Sequence, residues 1–257
     1  MVLDKFKKEK REEIISDEDY VSRKEFNKLK RRIKAHQYYL DNIYIFYSLE
    51  PTQFLTEIKS LSYELMEFVS NLCVKHDLAY WLDSDTLLAA VRHNEFMPEN
   101  LDLSMGMMKS DSLKFAEIFQ SEMDDAVLND IAYEFNESQE LSQINFEFID
   151  LEGFSFTINI FKYDYMDDNE TIMRDADGMN AFKKSILFPL GEMQLGNYSY
   201  SVPNDSYEYL KLADDNFMFS LTNVPDFNRL NRLRQHPDLI QKLGKYNEMF
   251  RSVNENY

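Results

Sequence analysis

In Leu101-Asp102-Leu103-Ser104-Met105 a carboxylate and a hydroxyl alternate with apolar residues. A period of two is that of a strand, so Asp102 and Ser104 share one face and the leucines and methionine take the other. Two aspartates at this spacing would both reach one divalent cation. Here a serine stands where the second aspartate would complete the pair. The apolar neighbours indicate that Asp102 lines a pocket. Upstream, Asp85 precedes Thr86–Arg92, which reads as a short helix, and Asp85 is placed to cap it by accepting from the first free amides.

The elements that would position these residues follow from periodicity. Residues 22–47 read as a helix, opened by the S-x-x-E spacing of Ser22 and Glu25 and carrying Phe26, Leu29 and Ile33 at helical spacing. A second helix is predicted over Thr52–His76, with Phe54, Ile58, Leu61, Leu65, Phe68 and Leu72 recurring at three and four residues. Cys73 on that apolar face reads as a small buried hydrophobe. A short aromatic strand is predicted at 79–83, a strand at 101–107 and a helix at 111–123. "INFEFIDLEGFSFTINIFKYDY" alternates on both sides of Glu152-Gly153, which predicts an antiparallel hairpin. Residues 164–177 are polar and read as a loop. "GEMQLGNYSYSVP" predicts short strands, followed by helices from about Ser206 and near the C-terminus. Strands interleaved with helices indicate an α/β or α+β fold.

The chain has 257 residues and a formal net charge of −18. So acidic a protein repels phosphate backbones, which argues against nucleic acid as a partner. The charge is uneven: residues 1–36 hold twelve Lys and Arg against eight Asp and Glu, a net of +4, leaving −22 on the rest. A basic segment on an acidic body suits contact with an anionic membrane surface or an acidic partner; a solvated, salt-bridged helix is the plainer reading. The lone cysteine excludes an intramolecular disulfide, and the four histidines show no metal-ligand spacing. The N-terminus has no apolar core of a secretory signal, and no apolar run is long enough to span a bilayer. These features predict a cytoplasmic protein, with peripheral contact to the membrane left open.

Three stretches, in order, resemble the LicD family, transferases with a nucleotidyltransferase-like fold. That family includes bacterial phosphocholine transferases acting on teichoic acid or lipopolysaccharide and is related to the fukutin group of sugar-phosphate transferases. Asp85-Thr86-Leu87-Leu88-Ala89-Ala90-Val91-Arg92 matches its G-T-L-L-G-x-x-R, and Pro98–Met107 matches its P-W-D-D-D-x-D-x-G-M without a gap. Asn159–Asp164 resembles its D-I-F-P-L-D, and residues 187–218 resemble its C-terminal region. The resemblance covers roughly residues 58–218 and implies a nucleotidyltransferase-like mixed sheet flanked by helices, a domain placed at residues 51–257; residues 1–50, outside the resemblance, read as a basic helical extension.

It also implies roles. Asp102, Ser104 and Asn159 fall at three positions where the family holds a divalent metal, Mg²⁺ or Mn²⁺, that bridges to the phosphates of a nucleotide-linked donor. Only Asp102 keeps its charge, so it is left as a weak metal ligand. Asp85, Thr86 and Arg92 fall at the substrate-binding positions, where Asp85 replaces a glycine that lets phosphate approach a helix N-terminus. Asp83, Glu95, Glu147 and Asp164 lie in or beside the same elements and are candidates to replace a lost ligand. Two readings follow. One is a protein of glycopolymer modification with weakened or lost metal-dependent transfer and a binding or regulatory role, alone, as a homo-oligomer or with a protein partner. The other is an active phosphotransferase, moving a phosphocholine-like or sugar-phosphate group from a nucleotide donor to a glycan acceptor.

Overall fold

The structure is a computed structural model and describes residues 23–34, 53–96, 102–125, 127–137, 142–151, 153–163, 170–174, 181–213, 217 and 237–257. Residues 23–34 form helix α1. The remainder of the expected 22–47 helix lies outside the described residues.

Helix α2 spans Gln53–Lys75. Its apolar positions recur at three and four residues and all are buried, from Phe54 to Leu72. They face helix α7, Pro237–Asn254, whose Leu239, Leu243, Tyr246 and Phe250 repeat at the same spacing and are equally buried. Two stripes of this period close on each other as neighbouring helices. Cys73, on α2, is buried, and burial pushes its thiol well above the ordinary range.

The sheet runs β1-β2-β5-β4-β3. Strand β1 is Tyr80–Leu82, β2 Asp102–Met108, β3 Tyr133–Glu137, β4 Gln143–Phe148 and β5 Ser155–Tyr163. Strands β2 and β5 are parallel, and the other pairs are antiparallel. The expected hairpin is β4–β5, turned by a short 3₁₀ segment at Ile149–Leu151 and by Gly153 at φ 89°. Helix α3, Ser84–His93, joins β1 to β2, and helix α4, Lys109–Met123, follows β2.

One departure lies in the acidic segment read as a loop over 164–177. Thr171–Arg174 is strand β6, paired with the end of β5 and with β7 at Phe182–Lys183. Only a short stretch there alternates, and partner strands rather than its own pattern make it a strand. A short helix α5, Lys184–Leu187, then leads into the hairpin of β8, Gly191–Leu195, and β9, Tyr198–Val202. Helix α6, Ser206–Lys211, comes next.

The two faces of the sheet differ over most of β2, β4 and β5. Leu103, Met105, Met107, Phe156, Ile158, Ile160, Ile144, Phe146 and Phe148 are buried on one face. Phe115 and Phe119 of α4 cover them, with the Phe119 ring 4.3 Å from that of Phe146. Phe68 of α2 and Phe250 of α7 continue the stack. The opposite face carries the polar halves of the same alternations. No helix among the described residues is long and apolar enough to cross a membrane.

Candidate functional site

Strand register assembles the polar face row by row. Asp102 pairs with Ser155, which pairs on its other side with Glu147. Ser104 pairs with Thr157 and Thr157 with Asn145; Gly106 pairs with Asn159 and Asn159 with Gln143. Because side chains alternate along each strand, these polar residues share one side. Seven of them, with Ser84 from the start of α3, line a shallow cleft of about 380 Å³: Asp102, Ser104, Gln143, Asn145, Ser155, Thr157 and Asn159. Asp102, Ser104 and Asn159, the three residues expected at a metal site, thus face one cleft. The other four were legible in "QINFEF" and "SFTINI", whose polar residues alternate with apolar ones on adjacent strands.

Under this cleft sits Asp83, 3% exposed. It, not Asp85, caps α3: its Oδ1 accepts from the Ser84 amide at 2.8 Å, and its carbonyl accepts from the Thr86 and Leu87 amides. The sequence expectation was two residues late. Both aspartates are adequate caps by type, but only Asp83 meets the rest of the site. The Tyr209 hydroxyl of α6 donates to its Oδ1 at 2.9 Å, and the Asn159 amide donates to its Oδ2 at 2.7 Å. A buried carboxylate is tolerable only when so supplied with donors. Asp85 instead lies half-buried in the first turn. The left-handed backbone position is Ser84, at φ 48°.

Asn159 is 1% exposed and spends both ends of its amide. Its Nδ2 serves Asp83 and lies 3.3 Å from the Ser84 hydroxyl, while its Oδ1 accepts from Gln143 at 2.9 Å. The orientation is chemically forced, since a reversed amide would set its oxygen against the Asp83 carboxylate. Thr86 is wholly buried, and its hydroxyl accepts from the Ser104 amide at 2.8 Å. The Asp83 amide in turn donates to the Ser104 carbonyl at 3.2 Å. Ser104 is therefore pinned through its backbone from both sides. Asp102 is exposed and accepts from the Ser155 hydroxyl at 2.5 Å. Arg92 is half-buried in the last turn of α3, and neither it nor Asp85 is among the residues lining the cleft.

Gly106 explains the end of the row. A Cβ there would lie 2.3 Å from the Trp81 indole. Trp81 pairs with Gly106 across β1 and β2 and is fully buried, 5.1 Å from the Phe161 ring. Its Nε1 donates to the Tyr209 hydroxyl at 3.2 Å, completing a chain from Trp81 through Tyr209 to Asp83 and Asn159.

This donor set does not fit a tightly held Mg²⁺ or Mn²⁺. Such an ion takes an octahedral shell of hard oxygens, keeps several waters, and is usually held by one or two carboxylates together with phosphate oxygens. Asp102 offers one carboxylate, Ser104 and Asn159 are neutral, and the Asn159 nitrogen directs its hydrogen at the remaining carboxylate. Among the described residues no group of three or more His, Cys, Asp or Glu is arranged to hold a metal ion. Phosphate meets a parallel obstacle. The N-terminus of α3 would favour an anion, but Asp83 already takes its amides and Asp85 adds a second charge. Asp164 lies outside the described residues.

A family model described as "LicD/FKTN/FKRP, nucleotidyltransferase domain" matches residues 77–205, half of the chain. An uncharacterized protein of Rickettsia typhi is 42% identical over 65 residues, which are 25% of this chain and 21% of that protein. One of Rickettsia prowazekii is 41% identical over 61 residues, 23% of each. The matched segment thus spans less than a quarter of either relative. The family match begins just before β1 and ends at Asp205, the cap of α6, so it encloses β2 and β5, and Tyr209 falls just beyond it. The chain belongs to the LicD family of nucleotidyltransferase-fold proteins.

Proposed function

We infer that this LicD family protein serves the modification of cell-surface glycopolymers as a binding or regulatory component, with metal-dependent transfer weakened or lost. The observation that carries this reading is the 2.7 Å bond from the Asn159 amide to Asp83. In a catalytic arrangement a cation would sit among carboxylates here. In this chain a neutral N–H satisfies the buried carboxylate instead. The rest of the cleft is lined by hydroxyls and carboxamides, which both donate and accept and suit a polyhydroxyl ligand such as a glycan better than a polyphosphate.

Calorimetric titration tests it. The unmodified protein is expected to show no tight Mg²⁺ or Mn²⁺ binding, with or without cytidine nucleotides. Ser104→Asp combined with Asn159→Asp should raise metal affinity at least tenfold by restoring two charged oxygens. Tight Mg²⁺ binding by the unmodified chain, or phosphotransfer abolished by Asp102→Ala, would instead establish an active enzyme with a rearranged site.

A further inference from the structure

Helix α1 has features that the cleft does not use. Its twelve residues, 23–34, hold seven Lys and Arg and one Glu, a net of +6, so the rest of the chain carries −24. Phe26, Leu29 and Ile33 recur at three and four residues and make one narrow stripe. These side chains are 56%, 51% and 59% exposed, far more than the core-facing apolar stripes of α2 and α7. Arg23, Lys30 and Lys34, spaced by seven and four, run along one flank of the stripe.

We propose that α1 docks the protein on an anionic lipid bilayer, lying in the plane of the interface with Phe26, Leu29 and Ile33 toward the acyl chains. Charge selects the occupant. The helix is strongly basic within a strongly acidic molecule, so electrostatic attraction by itself would draw it to the body of its own chain. Yet the stripe stays exposed with that body present. The partner must therefore combine negative charge with an apolar layer just beneath it, which a bilayer of anionic phospholipid supplies and a free polyanion does not. Lysine and arginine stems beside the stripe can lie along the apolar layer while their heads stay among the phosphates. Repulsion of the acidic body is screened beyond about 8 Å at physiological salt, whereas the basic residues act in contact. The inference is independent of what the cleft binds.

The test is sedimentation of the full chain with phosphatidylcholine vesicles, with or without 30% phosphatidylglycerol, taken as roughly the anionic content that draws polybasic segments to a membrane. The expected result is binding to the mixed vesicles alone, weakening as salt rises. Phe26→Ala, Leu29→Ala and Ile33→Ala together keep helix propensity, and Lys30→Glu with Lys34→Glu alters only charge. Each set should lower the partition at least tenfold without moving the melting temperature. The proposal is overturned by no binding, by equal binding to both vesicles, or by an alanine variant that binds like the wild type. It is also overturned if those alanines dissolve a dimer and leave vesicle binding untouched, since a second copy would then be what covers the stripe.

Discussion

At the scale of single residues, the cleft divides its carboxylates by burial. Asp83 is enclosed and receives three donors, while Asp102 is exposed and accepts from the Ser155 hydroxyl at the rim. Their substitutions should differ accordingly. Asp83→Ala removes a helix cap, worth about 1 kcal/mol, and strands the Tyr209 and Asn159 donors, each costing about 1–3 kcal/mol. A loss of roughly 3–7 kcal/mol in urea unfolding is the expected outcome; a loss no larger than that of Asp102→Ala would mean that Asp83 does not hold the cleft together. Gly106→Ala addresses a different constraint. The new methyl would meet the Trp81 indole at 2.3 Å, and that ring is boxed in by Phe161 and Phe188. Overpacking of this kind costs typically 1–3 kcal/mol, and the tryptophan fluorescence should change with it. An unperturbed spectrum and midpoint would show that the ring can move aside.

At the scale of elements, the sequence was legible where one pattern ran long enough. The three-four repeat from Phe54 to Leu72 gave α2, and the double alternation around Gly153 gave β4–β5, because each buries a continuous face. Strand β3 was not anticipated, although Tyr133 and Phe135 alternate with Glu134 and Asn136; five half-exposed residues make a weak signal. Strand β6 depends on β5 for its existence. The start of α3 could not be placed between Asp83 and Asp85 from local rules, since the choice is made by Tyr209 and Asn159, residues remote in sequence. The same logic gives α7 a role beyond the family match, which ends at residue 205. It covers α2 with Leu239, Leu243, Tyr246 and Phe250, and Arg251 pairs with the nearly buried Glu64 at 2.9 Å. Four side chains at about 1.5–3 kcal/mol each amount to about 6–12 kcal/mol, as much as a domain's whole stability. A chain ending before Pro237 should therefore lose cooperative unfolding and bind a hydrophobic dye. A sharp thermal transition in that truncation would show that α2 finds another cover.

At the scale of the whole molecule, net charge and site chemistry must be separated before any metal effect is interpreted. A chain of −18 gathers divalent cations diffusely, and that attraction fades with added salt, whereas a true site persists. Linkage then makes thermal stability a direct reading of the cleft. A ligand that binds only the folded chain stabilises it by RT ln(1 + [L]/Kd), about 2.7 kcal/mol at a hundred times Kd. In 150 mM NaCl, a salt level at which the Debye length is about 8 Å, millimolar Mg²⁺ should leave the unmodified protein's melting temperature where it was, because the Asn159 amide already satisfies Asp83 by hydrogen bonding, without an ion. Asn159→Asp changes the balance. It replaces a donor 2.7 Å from a buried carboxylate by a second carboxylate, and uncompensated buried charge costs about 3–5 kcal/mol. That variant should melt roughly 6–20 °C lower without metal, taking about 2–4 °C per kcal/mol for a chain of this size. Mg²⁺ should then return part of the loss, and Ser104→Asp in the same chain should increase the recovery by adding an anionic oxygen on the neighbouring strand. Should Asn159→Asp prove as stable as the wild type in chelator, the amide bridge would not be what replaced the ion. If Mg²⁺ raised the wild-type transition in the same salt, the cleft would hold metal after all, and the active-transferase reading would take precedence.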